Sequence, residues 1–122
     1  MKALKILIAE DVDSNFLYLK AVLKKIDAEV IWAKTGLEAV EVVGSNSNID
    51  LILMDMMMPE MNGYEAASII KQSNPNIKII AQTAFAMSDD REKTLHCGCD
   101  EYIAKPIRSG ELLALIERVM AK

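Results

Sequence analysis

The 122-residue chain has no apolar stretch of membrane-spanning length and no run of basic residues. A spanning helix needs roughly 20 consecutive apolar residues, so membrane insertion is not expected. With a formal net charge of -4, the chain is also a poor direct partner for a nucleic-acid backbone, which calls for a basic surface. The first strand-like run is followed by no Gly- or Ser/Thr-rich phosphate loop, and Glu10-Asp11-Val12-Asp13 has the wrong charge for one. Only two cysteines occur, Cys97 and Cys99, too close together for an ordinary disulfide. His96-Cys97-Gly98-Cys99 clusters three metal-ligand types, but no second cluster completes a tetrahedral zinc set, which leaves two small buried thiols beside a turn. Internal repeats, low-complexity tracts and linkers are absent as well. Met1-Lys2-Ala3 runs straight into a strand with no signal peptide, which makes the cytoplasm the expected location.

What is present is a hydrophobic content of 52% with mixed charge, enough for one folded domain over residues 1–122. Five strand-like runs alternate with five helix-like runs, the pattern of a parallel sheet covered on both faces. Asp13 or Ser14 is expected to cap the first helix, whose inward positions are Phe16, Leu19, Leu23 and Ile26. Glu29–Ala33 reads as a shorter edge strand. Thr35-Gly36-Leu37-Glu38 has capping-box spacing and opens a helix through Leu37, Val40 and Val43, stopped by the loop from Gly44. Asn62 and Glu65 open the third helix, with Ala66, Ala67, Ile69 and Ile70 inward. Ser88 caps a fourth helix in which Leu95 is the single strongly apolar residue after Asp89, so it has little to bury. The fifth carries the stripe Leu112, Leu115, Ile116, Val119 and Met120 behind Ser109.

Four of the strands deliver a polar group at the carboxyl end. Ile6-Leu7-Ile8-Ala9 leads into Glu10-Asp11, and Leu51-Ile52-Leu53-Met54 into Asp55. Ile79-Ile80-Ala81 leads into Gln82-Thr83, and Tyr102-Ile103-Ala104 into Lys105-Pro106. Open α/β sheets place their ligand crevice at those ends. Three close carboxylates repel one another, and magnesium, bound through carboxylates, waters and a phosphate oxygen, relieves that repulsion. Thr83 and Lys105 suit phosphoryl oxygens, and the set provides the parts for in-line phosphoryl transfer to an aspartate. Taken singly, Lys105 reads as a solvated lysine before a proline, Thr83 as a strand residue and Glu10 or Asp11 as a helix cap. That reading weakens when all four strand ends comply.

At this point the chain resembles the receiver domain of two-component response regulators over essentially its whole length. The matching segments are Ile6 through Asp11, Met54-Asp55 through Met58-Pro59 to Asn62-Gly63, Thr83-Ala84 and Lys105-Pro106. Glu10-Asp11-Val12-Asp13-Ser14-Asn15 and Gly98-Cys99-Asp100-Glu101-Tyr102 look most like receivers of hybrid sensor kinases and phosphorelays. The resemblance implies a single (βα)5 doubly wound parallel sheet, flavodoxin-like, with strand order 2-1-3-4-5. It implies that Asp55 accepts a phosphoryl group from a histidine kinase or histidine phosphotransfer domain. Glu10, Asp11, Asp55 and the backbone carbonyl of Met57 would hold Mg2+ or Mn2+. Thr83 and Lys105 would engage the phosphoryl group, with Tyr102 turning inward as the switch aromatic and the surface around the fourth and fifth helices changing. The resemblance also implies a face of the fourth helix, fifth strand and fifth helix through which the chain would pair as a homodimer. A cis Lys105-Pro106 bond is expected as well.

Such a domain promotes only its own phosphorylation and dephosphorylation and is not otherwise an enzyme. An aspartate-nucleophile phosphohydrolase, the rival reading, resembles a pattern with a second Asp two residues after the first, where this chain has Met57. The resemblance further implies that Met57 and Phe85 flank the approach of hydrolytic water; neither orients a water well, so a long-lived phosphoaspartate is expected.

Overall fold

The computed structural model describes residues 3–46, 48–83 and 97–121. Its parallel strands are β1 (Lys5–Ala9), β2 (Glu29–Ala33), β3 (Leu51–Asp55), β4 (Lys78–Thr83) and β5 (Glu101–Ala104), in the order β2-β1-β3-β4-β5. The helices are α1 (Asp13–Lys24), α2 (Gly36–Ser45), α3 (Gly63–Ser73) and the C-terminal α4 (Ser109–Met120), which is the fifth helix of the sequence reading. The doubly wound α/β sheet and its strand order are as expected. The stretch expected to form the fourth helix, with its Ser88 cap, lies outside the described residues, as does Phe85.

Sequence pattern accounts for the layering. β3 is buried along its whole length, because helices cover both faces of a central parallel strand. Alternation sends Leu7, Ile52, Met54 and Ile79 to one face, packed with Ala39, Val43, Ala67 and Ile70 of α2 and α3. Ile6, Ile8, Leu53 and Ile80 meet Leu19 and Leu23 of α1 and Leu112 and Ile116 of α4 on the other. β2 lies at the edge, and only Ala33 in it is fully covered.

Local details depart from the sequence reading in several places. Val12 is the N-cap of α1 with no side-chain cap bond, so neither Asp13 nor Ser14 performs that role. Ile26 falls beyond the helix, in a turn completed by Asp27 at a φ of 54°, and is exposed. Leu37 and Ile69 are exposed too, since the buried stripes run through Gly36, Ala39 and Val43 in α2 and through Gly63, Ala66, Ala67 and Ile70 in α3. One step of about 100° carries a neighbour off so narrow a stripe. α2 also continues through Gly44 to Ser45, whose hydroxyl donates to the Glu41 carbonyl at 2.9 Å. In α4 the N-cap is Arg108, and Ser109 is the first helical residue.

The two expected capping boxes are partly realised. Thr35 Oγ1 accepts from the Glu38 N–H and Asn62 Oδ1 from the Glu65 N–H, each at 3.0 Å. These caps fix the starts of α2 and α3 beside the loop that follows Asp55. Gly36 and Gly63 let the two helix starts close on that loop. A methyl at position 36 would strike the backbone carbonyl of Met61, and one at position 63 the carbonyl of Asp55 and the Cα of Met56.

Candidate functional site

The carboxyl ends of β1, β3 and β5 bring Glu10, Asp55 and Lys105 together. Lys105 Nζ lies 3.3 Å from Asp55 Oδ2 and 3.5 Å from Glu10 Oε1. Glu10, Asp11 and Asp55 each place a carboxylate oxygen within 4.8 Å of the others. Glu10 and Asp55 are buried and Asp11 is exposed, so the cluster is open on the Asp11 side. The Met57 N–H donates to Asp55 Oδ1 at 3.0 Å, which fixes the carboxylate with its second oxygen toward the lysine. The Lys105-Pro106 peptide is cis.

The β1–α1 turn is held by an interaction that sequence reasoning missed. Trp32 Nε1 donates to the Glu10 backbone carbonyl at 2.8 Å, and its ring stacks on Phe16 with centroids 3.9 Å apart. The available signal was an indole N–H on an edge strand, a donor that seeks a partner when it is partly covered. The Val12 N–H reaches Glu10 Oε2 at 3.3 Å and completes the turn.

Strand alternation divides the site residues between two faces. The row of Ile8, Leu53 and Ile80, on the α1 side, continues into Glu10, Asp55 and Gln82. Gln82 lies opposite Asp55 in the β3–β4 register and is only 1% exposed, and among the described residues neither polar side-chain atom has a hydrogen-bond partner. With Glu10, Asn15, Tyr18 and Lys105 it lines a cavity of about 370 Å3 beside the acid cluster. Sequence reasoning gave Gln82 no role, because only register shows that this amide borders Asp55. Thr83 is buried at the end of β4, one residue on and of opposite parity. Tyr102 packs partly buried against the α2–α3 cluster.

Burial pushes the Glu10 carboxyl up to about 7, reinforced by its hydrogen bond with Asp55 and by that group's charge, against the opposing pull of Lys105. One ammonium therefore does not neutralise the cluster. Oxygen donors at this spacing, two buried and one open to solvent, fit a hard divalent cation.

The raised value has a definite sign for stability. The folded state holds the Glu10 proton more tightly than the unfolded chain, so stability falls as pH rises from about 4.5 through 7. In metal-free buffer at pH 8, Glu10→Gln should stabilise the fold by about 1–3 kcal/mol, and the gain should vanish below pH 4.5. Denaturant midpoints at both pH values check this, and a loss of stability at pH 8 would contradict it.

Comparison with known proteins points to one family. The family model described as the response regulator receiver domain matches residues 6–117. The chain is 36% identical to the polar-differentiation response regulator DivK of Brucella ovis, over 84% of each chain. It is 37% identical to hybrid signal transduction histidine kinase I of Dictyostelium discoideum, over 97% of this chain but only 7% of that protein. Among solved structures, the receiver domain of a sensor histidine kinase from Pseudomonas aeruginosa superposes with a TM-score of 0.88. The two are 32% identical, with 99% of this chain and 100% of that one covered. That crystal structure holds a magnesium ion coordinated in its active site cleft. Among the described residues, no helix is long and apolar enough to cross a membrane.

Proposed function

The chain belongs to the response regulator receiver domain family, and on that premise we propose that Asp55 accepts a phosphoryl group from a histidine kinase or histidine phosphotransfer domain, in a Mg2+-dependent reaction. The observation that carries this reading is the setting of one carboxylate. Asp55 is 4% exposed, pinned through Oδ1 by the Met57 N–H, and paired through Oδ2 with Lys105. A strand end that buries a carboxylate this firmly beside two more acids is costly as packing and suited to chemistry.

In the reaction an Asp55 oxygen attacks the donor's phosphorus as the bond from phosphorus to the donor nitrogen breaks, and the product is an acyl phosphate. Glu10, Asp11, Asp55 and the Met57 carbonyl would hold Mg2+ or Mn2+, which supplies positive charge to the phosphoryl oxygens when bound. Lys105, already within 3.3 Å of Asp55, follows the new negative charge. Thr83 then moves onto the phosphoryl group and Tyr102 turns inward, which changes the surface around β5, α4 and the stretch expected from sequence to form the fourth helix. A shift between extremes needs about 5.5 kcal/mol of differential interaction, within reach of one added dianion beside a fixed ammonium. That surface would pass the signal on, through an effector or a second copy of the chain. The domain consumes only its own phosphoryl group, and its location is expected to be cytoplasmic.

Metal binding tests the site directly. Mg2+ titration in the presence of beryllofluoride, followed by Trp32 fluorescence, should saturate in the parent chain. Asp11→Asn should weaken it by about tenfold or more, while Asp13→Asn, across the turn in α1, should change it little. Equal losses in both variants would contradict the assigned ligands.

Phosphoryl lifetime follows from Met57 and Phe85. Met57 is 74% exposed beside Asp55 and offers hydrolytic water no strong hydrogen-bonding group. The double variant Met57→Asn with Phe85→Glu should lose its phosphoryl group faster, by on the order of tenfold, because it can orient that water. Radiolabel decay measured on both proteins checks this, and a slower or unchanged rate would dismiss the shielding idea.

A further inference from the structure

The cysteines lie far from this chemistry, at the entry to β5, whereas Lys105 follows its carboxyl end. Cys97 Sγ and Cys99 Sγ are 3.5 Å apart, in hydrogen-bonding contact. Gly98 between them has a φ of 98°, a left-handed conformation that side chains other than glycine rarely adopt, and it folds the turn so that the thiols meet. A Cβ there would also press on the Lys71 side chain, so the turn rests on α3. The following residue is firmly anchored. The Asp100 N–H donates to the Ile79 carbonyl at 2.8 Å, and Asp100 Oδ2 accepts from the Ile79 N–H and from Lys71 Nζ, both at 2.8 Å.

We propose that Cys97 and Cys99 form a thiol–disulfide exchange site, with the half-buried Cys97 attacking and the buried Cys99 resolving, and a low-molecular-weight disulfide as the oxidant. Burial separates the roles, since Cys99 is 5% exposed and Cys97 is the less buried residue of the two. Acidity separates them in the same sense. The hydrogen bond from Cys99 lowers the Cys97 thiol to about 7, while that bond and burial push Cys99 up. An attacking thiol is most effective when it titrates near the ambient pH.

The Cys97 thiolate attacks one sulfur of the small disulfide, whose S–S bond breaks to release one thiolate. That thiolate takes the Cys99 proton. The Cys99 sulfur then attacks Cys97, and the bond between Cys97 and the remaining small thiol breaks to release it as a thiolate, which takes up from solvent the proton that Cys97 lost on ionising. The protein pair is oxidised by two electrons and the small disulfide is reduced to two thiols. A ring spanning a single intervening residue is strained, so the product is readily reduced, as suits a reversible modification.

Incubating the reduced chain with excess oxidised glutathione at neutral pH tests the site by intact mass. The parent should lose two hydrogens and retain neither adduct nor cross-linked dimer, and dithiothreitol should reverse the change. Cys99→Ser should trap one glutathione on Cys97, and Cys97→Ser should form its adduct about tenfold more slowly. Asp55→Asn should oxidise as the parent does, because the site is independent of phosphoryl transfer. A parent that stays reduced, accumulates stable adducts or forms dimers would overturn the proposal, as would equal adduct rates in the two serine variants.

Discussion

Asp55→Asn should take up no phosphoryl group from a small acyl-phosphate donor and magnesium, whereas the parent gains one. The amide matches the carboxylate in size, so the fold should persist and the difference should be chemical. An uncharged amide oxygen is a far weaker nucleophile, and the variant loses one of the three carboxylates grouped within 4.8 Å as well. Intact-mass measurement decides between the outcomes. Equal labelling of both proteins would move the acceptor to another residue, and an unlabelled parent would count against the proposed reaction itself.

The second large effect is structural. Gly36→Ala and Gly63→Ala should each destabilise the chain by about 3 kcal/mol or more, because the added methyl meets fixed backbone rather than a side chain that can yield. Both clashes fall on the stretch from Asp55 to Asn62, so relief must shift the loop that carries the Met57 N–H away from Asp55 Oδ1. Phosphorylation should therefore slow along with the loss of stability. Gly44→Ala is the control. It lies in α2 with open space around it, and the substitution should stabilise by about 0.5–1 kcal/mol. Thermal and denaturant unfolding of the three variants measure these changes. Similar stabilities for Gly36→Ala, Gly63→Ala and Gly44→Ala would rule out the close approach.

Both effects concern the loop after β3, yet only one was legible beforehand. Asp55 announced itself as an acid ending an apolar run. Gly63 read only as the end of a segment matching the receiver family, and Gly36 as an ordinary member of a capping box. Their close contacts, with Met61 for Gly36 and with Asp55 and Met56 for Gly63, are set by how α2 and α3 pack, which local sequence does not encode. The misjudged positions Ile26, Leu37 and Ile69 have the same origin. An apolar residue near a helical stripe is buried only if a neighbouring element covers it, and these three are covered only in part.

The sequence by itself determined the layered α/β architecture, because apolar periods of two and of 3.6 are local properties. It also determined that Glu10, Asp11, Asp55, Thr83 and Lys105 lie at strand ends. Tertiary structure decided how those ends meet. Placing β3 beside β1 and β5 beside β4 lets one lysine pair with two carboxylates that are 45 residues apart in the chain. It placed the Gln82 amide opposite Asp55, set Trp32 under the β1–α1 turn, and folded Cys97 against Cys99. The physical reason is the range of the forces involved. Backbone geometry and side-chain period act over a few residues, whereas burial, charge pairing and hydrogen-bond satisfaction depend on neighbours that only the folded chain supplies.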